Sequence, residues 1–128
     1  MNTRAYAVMQ ASHPLVPFQF DRRQLGVHDV GLSIAYSGIC HSDIHQAREE
    51  WGPAIFPMVP GHEIAGVVTA IGSEVSKFSI GDKIGIGVFV DSCRTCENCK
   101  AGLQQYCLEG MTGTYNQMER DGKTVAMG

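Results

Sequence analysis

The order of elements along the chain predicts a mainly-β fold with short helices, a partly open barrel that carries a cysteine-rich lobe. Three observations predict it. From Val30 to Ser37, the larger apolar residues Val30, Leu32, Ile34 and Tyr36 alternate with Gly31, Ser33, Ala35 and Ser37, which is the period of two of a strand. The 15 glycines follow no repeat and punctuate short apolar runs, as tight turns between strands do. Four cysteines, Cys93, Cys96, Cys99 and Cys107, crowd one stretch that has neither strand nor helix periodicity.

Each element follows from its own residues. Ala5 to Met9 alternates weakly and reads as a strand. Pro14 and Pro17 mark a loop and an edge strand over Val16 to Phe20, because proline is tolerated at a sheet edge. Asp21 to Asp29 is polar connection. Beyond the Val30–Ser37 strand, Ser42 to Glu49 reads as a short helix with Ser42 as its N-cap. Pro53, Pro57 and Pro60 make Trp51 to Pro60 a loop. Glu63 to Ile71 is β-prone, and Gly66 inside it marks a bulge or a close backbone approach. Gly81-Asp82 is a turn, and Lys83 to Val90 reads as one further strand. The polar tail, Asn116 to Gly128, shows no closing element.

Composition bounds the function. At 128 residues the chain is one domain, large enough for its own core. Hydrophobic content of 44% argues against disorder. A net charge of -3 argues against nucleic acid or an anionic membrane as partner. No apolar run reaches the roughly 18 residues of a membrane span. No apolar leader core follows Met1, so a cytoplasmic location is expected.

The chain has 5 cysteines, an odd number that does not suit a disulfide framework. The C-x2-C-x2-C-x7-C cluster lets successive thiolates turn inward on one ion, and zinc takes four such ligands. Free thiols or local disulfides are the competing reading. Four protein ligands close the shell, so this site is structural. Cys40 and His62 each follow a glycine-containing turn and could share a second zinc at neighbouring strand ends. Taken singly, His62 reads as a hydrogen-bonded core histidine and Cys40 as an inert small hydrophobe.

The motif Gly61-His62-Glu63-x-x-Gly66-x5-Gly72-x-x-Val75 resembles the signature of zinc-containing alcohol dehydrogenases of the medium-chain superfamily. The cysteine cluster resembles their structural-zinc lobe, here spanning about residues 91–115, and Ile39 to His45 resembles the segment bearing their first catalytic ligand. Trp51-Gly52, Met58 to Gly61, Val90 to Cys93 and Met111 to Asn116 are similar to the cinnamyl-alcohol-dehydrogenase branch, including its bacterial aldehyde reductases.

The resemblance implies a GroES-like catalytic domain over residues 1–128, with alcohols and aldehydes as small-molecule substrates and NADP(H) as the hydride carrier. It implies that Cys40 and His62 ligate a catalytic zinc, with Glu63 beside them. Glu63 either tunes or enters that shell, or accepts a hydrogen bond from a ligand or a nearby arginine. Ser42 would pass the substrate's hydroxyl proton, and His45 would carry it to solvent through ribose or water. His41 would lie near the cofactor pyrophosphate, and Trp51 would line the substrate pocket. The third catalytic ligand, a cysteine in relatives, and a G-x-G-x-x-G nucleotide fingerprint have no counterpart here; Gly85-x-Gly87-x-x-Val90 lacks the third glycine. The chain therefore looks like the N-terminal part of a longer, homo-oligomeric enzyme. By itself it is expected to be an inactive monomer that holds the structural zinc. The alternative is a free-standing zinc-binding interaction module. Against it, Arg94 and Lys100 are offset by Asp91, Glu97 and Glu109, which leaves no basic patch for nucleic acid.

Overall fold

A computed structural model describes residues 2–128. Strands β1 (Asn2–Val8) and β2 (Leu15–Asp21) form an antiparallel hairpin. Pro17 sits opposite Tyr6 in this two-stranded sheet, where a missing N–H is tolerated. Strands β3 (Val30–Ser37), β4 (Ile64–Ile71) and β5 (Lys83–Ile86) form a second antiparallel sheet in the order β3-β4-β5. Strands β6 (Phe89–Asp91) and β7 (Thr112–Gly113) pair at the root of the cysteine lobe. Helices α1 (His41–Ala47) and α2 (Glu97–Lys100) and a 3-10 turn at Gln104–Tyr106 complete the described elements.

The core lies where the first two sheets meet the 58–64 segment. Ala7, Val8, Met58, Val59, Ile64 and Val68 are buried there. Val8 and Met58 exchange backbone hydrogen bonds at 2.8 and 2.9 Å, which ties the hairpin to the proline-rich loop. Strand β4 alternates as an inward and outward strand should, with Ile64, Gly66 and Val68 inside and Ala65, Val67 and Thr69 outside. Strand β3 exists where its sequence period places it, but its exposure does not alternate. It pairs only with β4, and Tyr36 remains 78% exposed.

Gly66 resolves its two alternatives. Of the two irregularities in the ladder, the one beside Gly66 falls on β3, between Ile34 and Tyr36, opposite Gly66 and Ala65; the other lies at Gly31 and Leu32. Gly66 itself is the close approach: a Cβ there would lie 2.4 Å from the Ser33 carbonyl oxygen.

Three expectations need correction. The predicted strand Lys83–Val90 is two strands in different sheets. Between them the Thr114 hydroxyl donates to the Gly87 carbonyl, and the Thr114 N–H donates to the Val88 carbonyl at 3.2 Å, so the chain is drawn from one partner to another. Ser42 is not the N-cap; Cys40 is, because Asp43 rather than Ser42 closes the first turn. The tail does close. Met118 bridges Val125, Ala126 is buried, and the Gly128 N–H donates to the Val59 carbonyl at 2.9 Å. A tail that is polar in composition can still be fixed through its backbone.

Two candidate metal centres

The cysteine lobe is built by backbone, not by a core. The sulfurs of Cys93, Cys96, Cys99 and Cys107 all lie within 4.8 Å of one another. Cys93 Sγ and Cys99 Sγ are 3.8 Å apart. A tetrahedron with zinc–sulfur bonds of about 2.3 Å has edges of about 3.8 Å, so the donor set fits zinc. Backbone N–H groups aim at these sulfurs: Cys96 N to Cys93 Sγ at 3.3 Å, Cys93 N to Cys107 Sγ at 3.4 Å, and Cys99 N to Cys96 Sγ at 3.5 Å. The Cys96 N–H, together with Thr95, holds the Cys93 thiol down to about 6. Cys99 is different. The Ser92 hydroxyl favours its thiolate, but burial and the neighbouring thiols Cys96 and Cys107 push it up to about 11. The lobe thus holds its sulfurs together at the expense of mutual repulsion between thiolates, which a cation relieves.

The second cluster forms where β3 and β4 run antiparallel. Ser37 pairs with Ile64, and the Gly38 N–H donates to the Glu63 carbonyl at 2.8 Å. The chain just after β3 and the chain just before β4 are thereby held side by side. Gly61, at φ +135, turns the backbone into His62. Donor atoms of Cys40, His62 and Glu63 all lie within 4.8 Å of one another. This mixed sulfur, imidazole and carboxylate set suits zinc. Ser42 Oγ lies 3.1 Å from Cys40 Sγ and 3.4 Å from His62 Nε2. The Ser42 side chain and N–H, then His62, lower the Cys40 thiol below its ordinary range.

Not every sequence-predicted residue joins this cluster. His45 is half-buried to one side, its Nδ1 against Glu50 Oε2, and among the described residues no hydrogen bond joins it to Ser42. Its ring lies 4.7 Å from that of Trp51 and 4.7 Å from that of exposed His41. Trp51 is 63% exposed and meets the site through His45.

Two residues escaped sequence reasoning. Asp43 is buried; its Oδ1 lies 3.2 Å from His62 Nδ1, while its Oδ2 accepts the Cys40 N–H at 2.9 Å. One carboxylate therefore orients both candidate ligands and leaves His62 Nε2 free to face a metal. Its position three residues after Cys40, in the manner of a capping box, was the available signal. Tyr115 packs its ring over His62 at 5.9 Å and 12°. Its hydroxyl is buried beside the Asp43 carboxylate without a well-formed hydrogen bond, and burial first, then Asp43, raises the phenol above its usual range. No local pattern pointed to it.

Residues 26–125 match the alcohol dehydrogenase GroES-like domain. The chain is 59% identical over 119 residues to NADP-dependent alcohol dehydrogenase C 1 of Mycolicibacterium smegmatis, covering 92% of this chain and 34% of that protein. It is 49% identical over 121 residues to the aldehyde reductase YahK of Escherichia coli, covering 94% and 34%. In structure it is similar to the cinnamyl alcohol dehydrogenase of Helicobacter pylori solved with NADP(H), with a TM-score of 0.93, 41% identity and coverage of 99% of this chain and 37% of that one. The chain spans about a third of the length of the curated relatives it matches. On the family match and these identities, the chain belongs to the alcohol dehydrogenase GroES-like domain family.

Proposed function

We propose that this chain is the metal-holding, substrate-side portion of a zinc- and NADP-dependent alcohol dehydrogenase or aldehyde reductase. The observation that carries this reading is the convergence of Cys40, His62 and Glu63 beside Ser42, with Asp43 behind His62. Cys40 and His62 would hold a catalytic zinc, with Glu63 as a third, exposed donor; the four lobe cysteines would hold a structural one. Zinc, when bound, supplies Lewis-acid polarisation of a substrate oxygen, and NADP(H) carries the hydride.

The chain's own residues do the rest. Asp43 fixes the His62 tautomer by accepting from Nδ1. The Ser42 hydroxyl sits at the metal-facing edge of His62 and Cys40, where it can take a proton from an alcohol or return one to a developing alcohol. His45 lies one turn further along α1 and would carry that proton on to solvent. His41, exposed beside His45, would lie near the cofactor pyrophosphate. Trp51 stacks on His45 and would line the substrate pocket.

The test is a chimera. Residues 2–128 replace the matching third of the M. smegmatis relative. The expected result is NADPH-dependent aldehyde reduction that falls at least about a hundredfold in the Cys40→Ser or His62→Ala chimera. A folded chimera with both zincs bound and no turnover would overturn the reading. The 128-residue chain alone is expected to bind one zinc tightly and to reduce no aldehyde.

A further inference from the structure

The cysteine lobe has a partner outside its own sequence. Arg120 lies in the turn bridged by Met118 and Val125, beyond the last cysteine. Its Nη2 reaches Cys107 Sγ at 3.7 Å and donates to the Gly110 carbonyl at 2.5 Å. Its Nη1 lies 3.6 Å from Glu109 Oε2. Arg94, the arginine inside the lobe, instead turns its guanidinium to Asp91 at 2.7 and 3.1 Å. Among the described residues, Arg120 is therefore the cation that reaches a sulfur of the cluster.

Electrostatics makes that contact consequential. A divalent ion bound by four thiolates leaves an excess negative charge of two on the site. Backbone N–H groups serve Cys93 and Cys96, and a third N–H, that of Cys93, reaches Cys107. None of these donors carries a formal charge. A guanidinium beside the buried Cys107 sulfur offsets part of the excess, and a charge-assisted contact is stronger than a neutral one. The Gly110 bond fixes the guanidinium's angle, so the contact is held by two anchors of the same loop.

We propose that Arg120 is a positioning residue of the structural metal site: its guanidinium stabilises the Cys107 thiolate from outside the shell and slows loss of the ion. The inference rests on the zinc reading of the lobe and not on any catalytic activity. It is tested on the 128-residue chain loaded with zinc, and separately with cobalt(II). Arg120→Gln is expected to release zinc to a chelator about ten times faster than wild type. It is also expected to shift the sulfur-to-cobalt charge-transfer band to lower energy, because an unassisted thiolate is the better donor. Arg120→Lys is expected to restore part of both effects. Release within twofold of wild type and an unmoved band in folded Arg120→Gln would overturn the proposal. Should Arg120→Gln fail to fold, wild-type release in 50 mM and 1 M salt is the second measurement. Faster release at high salt supports the charge coupling, and salt-independent release overturns it. Failure of the chain to bind either metal would instead defeat the zinc reading itself.

Discussion

Asp43 shows how one side chain can organise two candidate ligands. Its carboxylate is buried and receives both the Cys40 N–H and His62 Nδ1. Removing it leaves the buried His62 Nδ1 and the half-buried Cys40 N–H without this partner, and an unsatisfied buried donor costs more than the bond itself is worth. Asp43→Ala is expected to destabilise the chain by about 1–3 kcal/mol in denaturant unfolding. Nitrogen shifts of the His62 ring should also show the Nδ1–H tautomer losing its dominance. Unchanged ring shifts would place the orientation of His62 on Tyr115 alone. Tyr115 contributes packing over the ring face, so the two residues act on different coordinates: Asp43 on tautomer, Tyr115 on tilt.

At the scale of elements, the β3–β4 ladder matters most, because it brings Cys40 and His62 together from either side of a sheet edge. Gly66 permits that ladder. A methyl group there would meet the Ser33 carbonyl at 2.4 Å and Leu32 Cδ1 at 2.7 Å. Backbone on one side and a packed side chain on the other leave no room to yield. Gly66→Ala is expected to cost about 1–3 kcal/mol by chemical denaturation. It should also loosen the second metal cluster before the cysteine lobe, which does not share this sheet.

The turn that carries Arg120 gives a pH prediction. The Thr124 hydroxyl and N–H and the Lys123 N–H all donate to Asp121 and hold its carboxyl down to about 2 from 3.8. A carboxyl lowered in the folded state contributes stability that is fully present above about pH 4 and is lost as pH falls toward 2. The Lys123 and Thr124 amide resonances should therefore titrate with a midpoint near 2, not near 3.8. Asp121→Asn should abolish that titration.

Over the whole molecule, the two clusters are held by different means. The Cys40–His62 cluster stands on the buried core through Val59, Ile64 and Val68. The cysteine lobe has a four-residue helix, a 3-10 turn and a short strand pair, with little apolar burial of its own beyond Cys99 and Cys107. A lobe of that kind would draw its order from a bound ion. Chelation is expected to open residues 91–115 to proteolysis while the sheets keep their far-ultraviolet circular dichroism. Equal resistance of the lobe with and without chelator would show that its hydrogen bonds suffice.

The sequence by itself determined the mainly-β class and the four-sulfur lobe, and its resemblance to a known family singled out Cys40, His62 and Glu63 as candidates. The first two are local properties. A period of two marks strand β3, and two-residue gaps aim thiolates at one point whatever the surrounding fold. Only the tertiary structure decided which residues support those candidates. Asp43 is three residues from Cys40 in sequence but serves His62 as well, across a strand pairing that no local pattern specifies. Tyr115 and Arg120 act through contacts between segments distant in the chain. The split of Lys83–Val90 into two strands was hidden for the same reason: a β-prone run states that a strand is possible, and the partner that arrives, here Thr114, settles where it ends.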